Sequence, residues 1–65
     1  MGWTALMEAI VLGHGGKEHQ AIVRLLIDHG ADVNIKDKDG VSPLTHANAR
    51  GFVAIADMLV KAGAR

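Results

Sequence analysis

Residues 40–47 read GVSPLTHA, and residues 2–9 read GWTALMEA. These two stretches match position by position at an offset of 38 residues. Further along, residues 22–31 (IVRLLIDHGA) match residues 55–64 (IADMLVKAGA) at an offset of 33. The first unit therefore carries five extra residues between positions 13 and 22. Self-similarity with a period of about 20–50 residues indicates an array of small units that bury their apolar faces against one another.

Each unit carries the signals that begin and end two helices. Ser42 offers a hydroxyl that can cap a helix, and Pro43 follows at the first helical position, where proline loses no hydrogen bond. Thr4 takes the equivalent capping place in the first unit. Glycines able to end a helix in the left-handed conformation follow the apolar stretches at Gly13, Gly30, Gly51 and Gly63. The signals predict four helices, near residues 4–12, 18–29, 43–50 and 53–62.

The second helix of each unit has an apolar face, because its apolar residues recur at spacings of three and four. That face carries Ile22, Leu25, Leu26 and His29 in the first unit, and Ile55, Met58, Leu59 and Ala62 in the second. The opposite face, predicted to be solvated, carries Gln20, Arg24, Asp28, Asp57 and Lys61. Residues 31–41 alternate β-branched and polar side chains and end in the turn signal KDG, which predicts a protruding hairpin-like loop between the units.

Taken in order, the repeated residues resemble the ankyrin motif, whose period is about 33 residues. Its turn, first helix, short loop and second helix are matched by Gly30-Ala31-Asp32-Val33-Asn34 with Asp37-Lys38-Asp39-Gly40, by Ser42-Pro43-Leu44 with Ala47, by Gly51, and by Ile55, Leu59 and Gly63-Ala64. The resemblance covers essentially the whole chain. It implies an all-α fold of the ankyrin α-solenoid type, with two helix-turn-helix repeats joined by the protruding hairpin-like loop.

The same resemblance implies a single domain over residues 1–65, with repeat one at about 2–34 and repeat two at about 35–65. The combinations LMEA at residues 6–9 and PLTHA at residues 43–47 are more similar to bacterial ankyrin proteins than to vertebrate ones. The chain begins directly at a turn glycine, which predicts that it is a fragment of a longer array.

The chain departs from the family pattern at one functional position of the first helix. The family usually has a histidine after the Pro-Leu pair, whereas this chain has Met7 and Thr45 there. The usual hydrogen bond from that imidazole to the turn is therefore not expected in its family form. His46 and Glu8 come one position later, at a place that is normally apolar.

Composition excludes several classes of function. Seven acidic and seven basic residues give a formal charge of zero, which argues against nucleic-acid or anionic-membrane binding. No apolar run approaches the roughly 18–20 residues of a membrane-spanning helix. A chain without cysteine is compatible with both reducing and oxidising compartments, and no disulfide stabilises its small core.

Three apparent ligand-binding motifs fail on spacing. A phosphate loop ending at Lys17 needs glycine at position 11 and serine or threonine at position 18, where this chain has Val11 and Glu18. A dinucleotide fingerprint starting at Gly13 also needs glycine at position 18. Residues 37–40 (DKDG) resemble part of a calcium loop, but the first ligand position holds isoleucine and the closing one holds histidine. The sequence therefore predicts no cofactor.

Four histidines invite a zinc hypothesis, which we retain as a minor alternative. His14 and His19 share the inserted loop, while His29 ends the second helix and His46 lies on the third. A zinc site needs three or four convergent ligands, so we predict no metal site and interpret His29 as a cap on helix carbonyls and His46 as a half-exposed surface residue. The chain has no cysteine and one serine, which acts as a helix cap, so no catalytic residue is predicted.

The resemblance implies a non-catalytic protein-protein interaction module. Ankyrin proteins contact partners through the turn tips and the exposed side of each first helix, the concave face of the stack. Carried over by position, the partner-binding residues are Trp3, Val11, Leu12, Lys36, Lys38, Asp39, Val41, Ala49 and Arg50. The implied partner is a protein of undefined identity. The alternative is a purely architectural segment of a longer array.

Two units are fewer than the roughly three that repeat arrays usually need for stability. Apolar residues crowd the first helix, and the last helix ends without a polar helix beyond it. We therefore expect the isolated chain to associate with itself, by stacking its end faces or by exchanging a helical element through the hinge at Gly15 and Gly16.

Overall fold

The computed structural model describes residues 4–65. They form four helices, α1 (Ala5–Val11), α2 (Lys17–Asp28), α3 (Pro43–Ala49) and α4 (Val53–Lys61), and contain no strand. Each helix begins and ends within one residue of its predicted boundary, so the all-α prediction is confirmed. Trp3 lies outside the described residues.

The first helix of each repeat begins at the predicted capping residue. Thr4 Oγ1 accepts a hydrogen bond from the Met7 backbone N–H at 3.1 Å, and Ser42 Oγ accepts one from the Thr45 N–H at the same distance. These bonds satisfy backbone donors that have no partner inside a helix. At the other end of α2, the His29 ring Nδ1 lies 2.9 Å from the Leu25 carbonyl oxygen, which confirms the predicted C-terminal cap.

The helices form two layers around one core. Helix α1 packs against α2 and α3, and α4 packs against α3 and α2. The buried cluster draws on all four helices and on the loop between repeats: Leu6, Ile10, Val23, Val33, Ala47, Ile55, Ala56 and Leu59. Since neither repeat encloses this cluster alone, the stability of each depends on the other.

The predicted apolar face of the second helix holds for α4 except at Ala62, which is exposed. In α2 it holds only at Leu26, since Ile22, Leu25 and His29 are exposed. Ile55 is fully buried, whereas the equivalent Ile22 is 44% exposed. Val23, which the prediction left off this face, is fully buried instead. Ile55 faces into the shared core, but none of the described residues covers the matching side of α2. On the outer side of the second repeat, Val60 of α4 is 55% exposed, although the equivalent residue of α2, Ile27, packs against the core.

The five extra residues of the first repeat are divided between helix and loop. Helix α2 has 12 residues and α4 has nine, so three of the five extend the helix by almost one turn. The other two lengthen the connection between α1 and α2, which therefore folds differently from the connection between α3 and α4. Gln20, predicted to be solvated, is half-buried and its Nε2 donates to the Gly15 carbonyl at 2.9 Å.

Gly13 does not adopt the left-handed conformation predicted for it, and Gly15 does so instead, with φ of +74°. A Cβ at Gly13 would lie 2.5 Å from the Ala9 carbonyl oxygen, and one at Gly15 would lie 2.5 Å from the Phe52 ring. The inserted loop is therefore docked on the second repeat through a close contact between Gly15 and Phe52.

Candidate functional site

The tip of the loop between the repeats is closed by one carboxylate. Asp37 Oδ1 accepts hydrogen bonds from the backbone N–H groups of Asp39 and Val41, each at 2.9 Å. The Asp37 backbone N–H donates to the Val41 carbonyl at 3.0 Å, and the Gly40 N–H donates to the Asp37 carbonyl at 2.9 Å. Gly40 has φ of +78°, as a tight turn requires. The tip is therefore a closed turn with several hydrogen bonds.

His46 ties this turn to helix α3. Its Nε2 lies 2.7 Å from Asp37 Oδ2, and its Nδ1 lies 2.9 Å from an Arg50 guanidinium nitrogen. A guanidinium can only donate, so Nδ1 accepts and the ring proton resides on Nε2, which donates to the carboxylate. The same Arg50 nitrogen also donates to the His46 carbonyl at 3.2 Å. The three side chains form one chain of hydrogen bonds from the turn to the end of α3.

This network lowers the pKa of Asp37 below its ordinary value of 3.8. The largest cause is the hydrogen bond from the His46 side chain, followed by the one from the Val41 backbone N–H. Both stabilise the charged carboxylate more than burial destabilises it. Asp37 is therefore ionised at neutral pH, which keeps it an acceptor for all of its partners.

The structure brings most of the predicted residues of the second repeat to one surface. Lys38 and Asp39 are exposed at the turn tip, and Ala49 and Arg50 are exposed at the end of α3. Val41 is half-buried beside the turn. The hydrogen bonds through His46 join the tip to Arg50, so these residues are neighbours in space.

Lys36 is exposed on another side of the loop. It lines a concavity of about 480 Å³ with Asn34, Ser42, Gly63 and Arg65. The Asn34 side chain spans part of this region, because its Nδ2 donates to the Gly63 carbonyl at 3.2 Å and its Oδ1 accepts from the Arg65 N–H at 3.0 Å. Asn34 thus joins the loop that follows α2 to the segment that follows α4.

The first repeat contributes apolar side chains at the corresponding place. Leu12, the residue after α1, is 69% exposed, and Val11 is half-buried. Helix α1 packs against α3, so Leu12 lies beside the end of that helix. We use "candidate surface" for the predicted partner-binding residues that the structure describes: Val11, Leu12, Lys36, Lys38, Asp39, Val41, Ala49 and Arg50.

Sequence reasoning missed the two residues that organise the candidate surface. Asp37 was noted only as part of the family's turn and of an apparent calcium loop, and His46 only as a half-exposed surface residue that departs from the family pattern. The family's usual bond from an imidazole to the turn is replaced by one from a histidine a single position later. The signal was present in the sequence, since a histidine near the start of the helix follows an Asp-initiated turn by nine residues.

The histidines of the inserted loop contact each other without forming a metal site of three ligands. The rings of His14 and His19 pack edge to face, with centroids 4.4 Å apart, and His14 Nδ1 accepts a hydrogen bond from the Gly16 N–H at 3.2 Å. No group of three or more metal-ligating side chains converges anywhere in residues 4–65. His19 Nδ1 is buried without a hydrogen-bond partner among those residues.

The Asp37–His46 pair has the form of a carboxylate that orients a catalytic base. Its remaining ring nitrogen, however, accepts a hydrogen bond from Arg50, and no hydroxyl group within residues 4–65 is hydrogen-bonded to it. Ser42 caps α3 and is 8% exposed, with its Oγ 2.9 Å from the Thr45 hydroxyl.

Within residues 4–65 no helix is long and apolar enough to cross a membrane.

Comparison with known proteins identifies the family. The family model described as ankyrin repeats (3 copies) matches residues 1–65. Ankyrin repeat protein YahD of Escherichia coli (strain K12) is 55% identical over 64 residues, which cover 98% of this chain and 32% of that protein. Mouse protein phosphatase 1 regulatory subunit 27 is 36% identical over 63 residues, which cover 97% of this chain and 38% of that protein.

The fold agrees with a solved relative. The crystal structure of an ankyrin repeat domain from Acinetobacter baumannii AYE superposes with a TM-score of 0.97 at 53% identity, covering 98% of this chain and 33% of that domain. The chain thus spans about a third of the length of each of these three relatives. From its repeated sequence, its four-helix structure and the family match over residues 1–65, the chain belongs to the ankyrin repeat family.

Proposed function

We propose that this chain is a non-catalytic module that binds a protein partner through the candidate surface. The observation that carries the proposal is the hydrogen-bonded chain from Asp37 through His46 to Arg50, at 2.7 and 2.9 Å. It holds the turn tip and the end of α3 in one arrangement while their outer side chains remain exposed. A surface that is ordered before binding loses less conformational entropy when a partner docks.

The family relationship supports this proposal. Ankyrin repeats are generally protein-interaction modules, and proteins of the family are generally non-catalytic. One relative, matched over 97% of this chain, is named a regulatory subunit of protein phosphatase 1. The binding mode proposed for this chain rests on its own exposed residues.

A displayed library of random 12-residue peptides tests the proposal without a known partner. The wild-type chain is expected to retain peptides that a Leu12→Ser/Lys38→Ala variant no longer retains. The matched control is Leu25→Ser/Arg24→Ala on α2, which also removes one exposed leucine and one cation. Peptides that depend on the α2 residues, or no retained peptides at all, would contradict the proposal and favour a purely architectural segment.

We also propose that the isolated chain associates with itself by stacking its ends. Ile22 and Val60 are exposed, although the equivalent Ile55 and Ile27 pack in the core between the repeats. The exposed face of α2 therefore corresponds to the face of α4 that α2 covers. Likewise, the exposed face of α4 corresponds to the face of α2 that α4 covers. Such a head-to-tail contact would place one chain on the next as a further repeat.

Sedimentation from micromolar to millimolar concentration tests this second proposal. The average mass and the melting temperature are expected to rise with concentration, because association stabilises the folded state by mass action. Ile22→Asp is expected to abolish the rise, whereas Arg24→Ala on the same helix leaves it intact. A folded monomer at every concentration would show that two repeats suffice.

A further inference from the structure

The candidate surface presents three exposed cations. Lys38 and Arg50 lie with one exposed acid, Asp39, at the turn tip and the end of α3, and Lys36 lies on another side of the loop. The ion pairs formed within residues 4–65 are those between His46 and Asp37 and between Lys61 and Asp57, so none of these three cations is paired within 4.0 Å.

Two further acids lie close to these cations. Asp37 is ionised and bonded to His46, and Glu8 is half-buried on α1, one turn before Leu12. Together with Asp39 they balance the three cations in charge, but none of the three acids forms an ion pair with Arg50.

Arg50 is the cation that is held in position. A single guanidinium nitrogen makes both of its hydrogen bonds, to His46 Nδ1 at 2.9 Å and to the His46 carbonyl at 3.2 Å. The other guanidinium N–H groups make no hydrogen bond with residues 4–65. Two parallel N–H groups of a guanidinium match the two oxygens of a carboxylate. Because His46 already orients the side chain, binding a carboxylate there orders little that was free.

Leu12 occupies the place in α1 that Arg50 occupies in α3, since the two positions correspond at the offset of 38. Each is the residue directly after its helix, with φ near −90°. Helices packed side by side lie about 8–10 Å apart. The backbone positions of the exposed Leu12 and of Arg50 are therefore about one helix spacing apart.

From this arrangement we infer the chemistry of the partner, on the basis of the proposed function above. The partner presents an extended segment with an aspartate or glutamate that binds Arg50 and a large apolar side chain that packs on Leu12. Alternate side chains of an extended chain point to the same face, about 7 Å apart, so the two partner residues are about two positions apart. Lys38 at the turn tip adds attraction for further acidic residues.

The test uses one peptide enriched by the displayed library, labelled with fluorescein, and an analogue in which asparagine and glutamine replace its aspartates and glutamates. Fluorescence anisotropy gives the affinity of each for the full chain. We expect Arg50→Glu to weaken binding of the acidic peptide at least about tenfold. Arg24→Glu, a charge reversal at an exposed position of α2, is expected to change it less than about twofold. Circular dichroism verifies that each variant is folded.

The analogue separates charge from shape. It is expected to bind the wild-type chain as weakly as the acidic peptide binds Arg50→Glu, and to lose little more on that substitution. An Arg50→Lys variant, which keeps the charge but not the paired N–H groups, is expected to bind with intermediate affinity.

Either of two results would overturn the inferred chemistry: equal affinity of the acidic peptide for wild type and Arg50→Glu, or an analogue that binds as tightly as the acidic peptide. The proposed function would survive both results provided that Leu12→Ser/Lys38→Ala still released the peptide. If that variant also bound normally, the proposed function itself would fail.

Discussion

Replacing Gly15 by alanine tests whether the inserted loop is docked on the second repeat. Gly15 has φ of +74°, and a Cβ there would lie 2.5 Å from the Phe52 ring. Gly51 is a matched control, because its φ is +71° and a Cβ added there meets no atom within 4 Å. Both substitutions carry the same backbone penalty, and only the first also collides with a side chain.

The two costs can be estimated separately. A residue with a side chain in the left-handed region costs about 1–2 kcal/mol, which is the whole expected effect of Gly51→Ala. Forcing a methyl group against a packed ring adds about 1–3 kcal/mol, so Gly15→Ala is expected to cost about 2–5 kcal/mol. A chain of this length has a free energy of unfolding of about 3–10 kcal/mol, so the difference is a large share of the total.

Urea unfolding followed by circular dichroism measures both variants, with equal slopes confirming that the same surface unfolds. In a Phe52→Leu background the extra cost of Gly15→Ala is expected to shrink, because the smaller side chain makes room for the added methyl group. Equal destabilisation by Gly15→Ala and Gly51→Ala would refute the docking of the loop on Phe52.

Three further predictions use the polar groups. Asp37→Asn lowers the free energy of unfolding at neutral pH. Because the pKa of Asp37 is depressed in the folded state, the loss of stability relative to wild type is complete above about pH 4. It disappears as the pH falls through the folded-state pKa, which lies below 3.8. A difference that does not shrink as the pH falls from about 4 to the point where the wild type unfolds would contradict the role of the His46–Asp37 contact. Excess zinc followed by chelator leaves the melting temperature unchanged, and a rise of more than about 5 °C that His14→Ala/His19→Ala removes would reveal a metal site. Asn34→Ala costs about 0.5–2 kcal/mol by urea unfolding, since two hydrogen bonds are lost at an exposed position, and no change would show that the bonds do not form in solution.

Local signals were sufficient to predict the helices. Ser42 and Thr4 begin α3 and α1 because a capping hydroxyl acts on the three residues that follow it. The position of a cap does not depend on what packs beyond the helix, so the boundaries could be predicted within one residue.

Burial in α2 could not be predicted in the same way. Ile22 and Ile55 have the same place in the periodic pattern, yet one is 44% exposed and the other fully buried. Periodicity identifies a face of a helix, whereas burial depends on whether another element lies on that face. The two isoleucines hold the same place in the pattern and differ in whether another helix covers that face.

The partner-binding residues were predicted from the family, but their organisation was not. The hydrogen bonds of His46 to Asp37 and Arg50 depend on the rotation of α3 and on the height of the turn above it. A shift of the histidine by one position rotates its side chain by about 100° around the helix. Family position alone therefore could not place this ring.

Amide chemical-shift mapping tests the proposed binding surface most directly. The isotope-labelled chain is titrated with a peptide retained by the displayed library, and shift changes are measured along the backbone. Changes are expected at Leu12, around the turn at residues 36–41 and at Ala49 and Arg50, with little change in Arg24 or its neighbours on α2. Changes confined to the outer faces of α2 and α4 would contradict binding through the candidate surface.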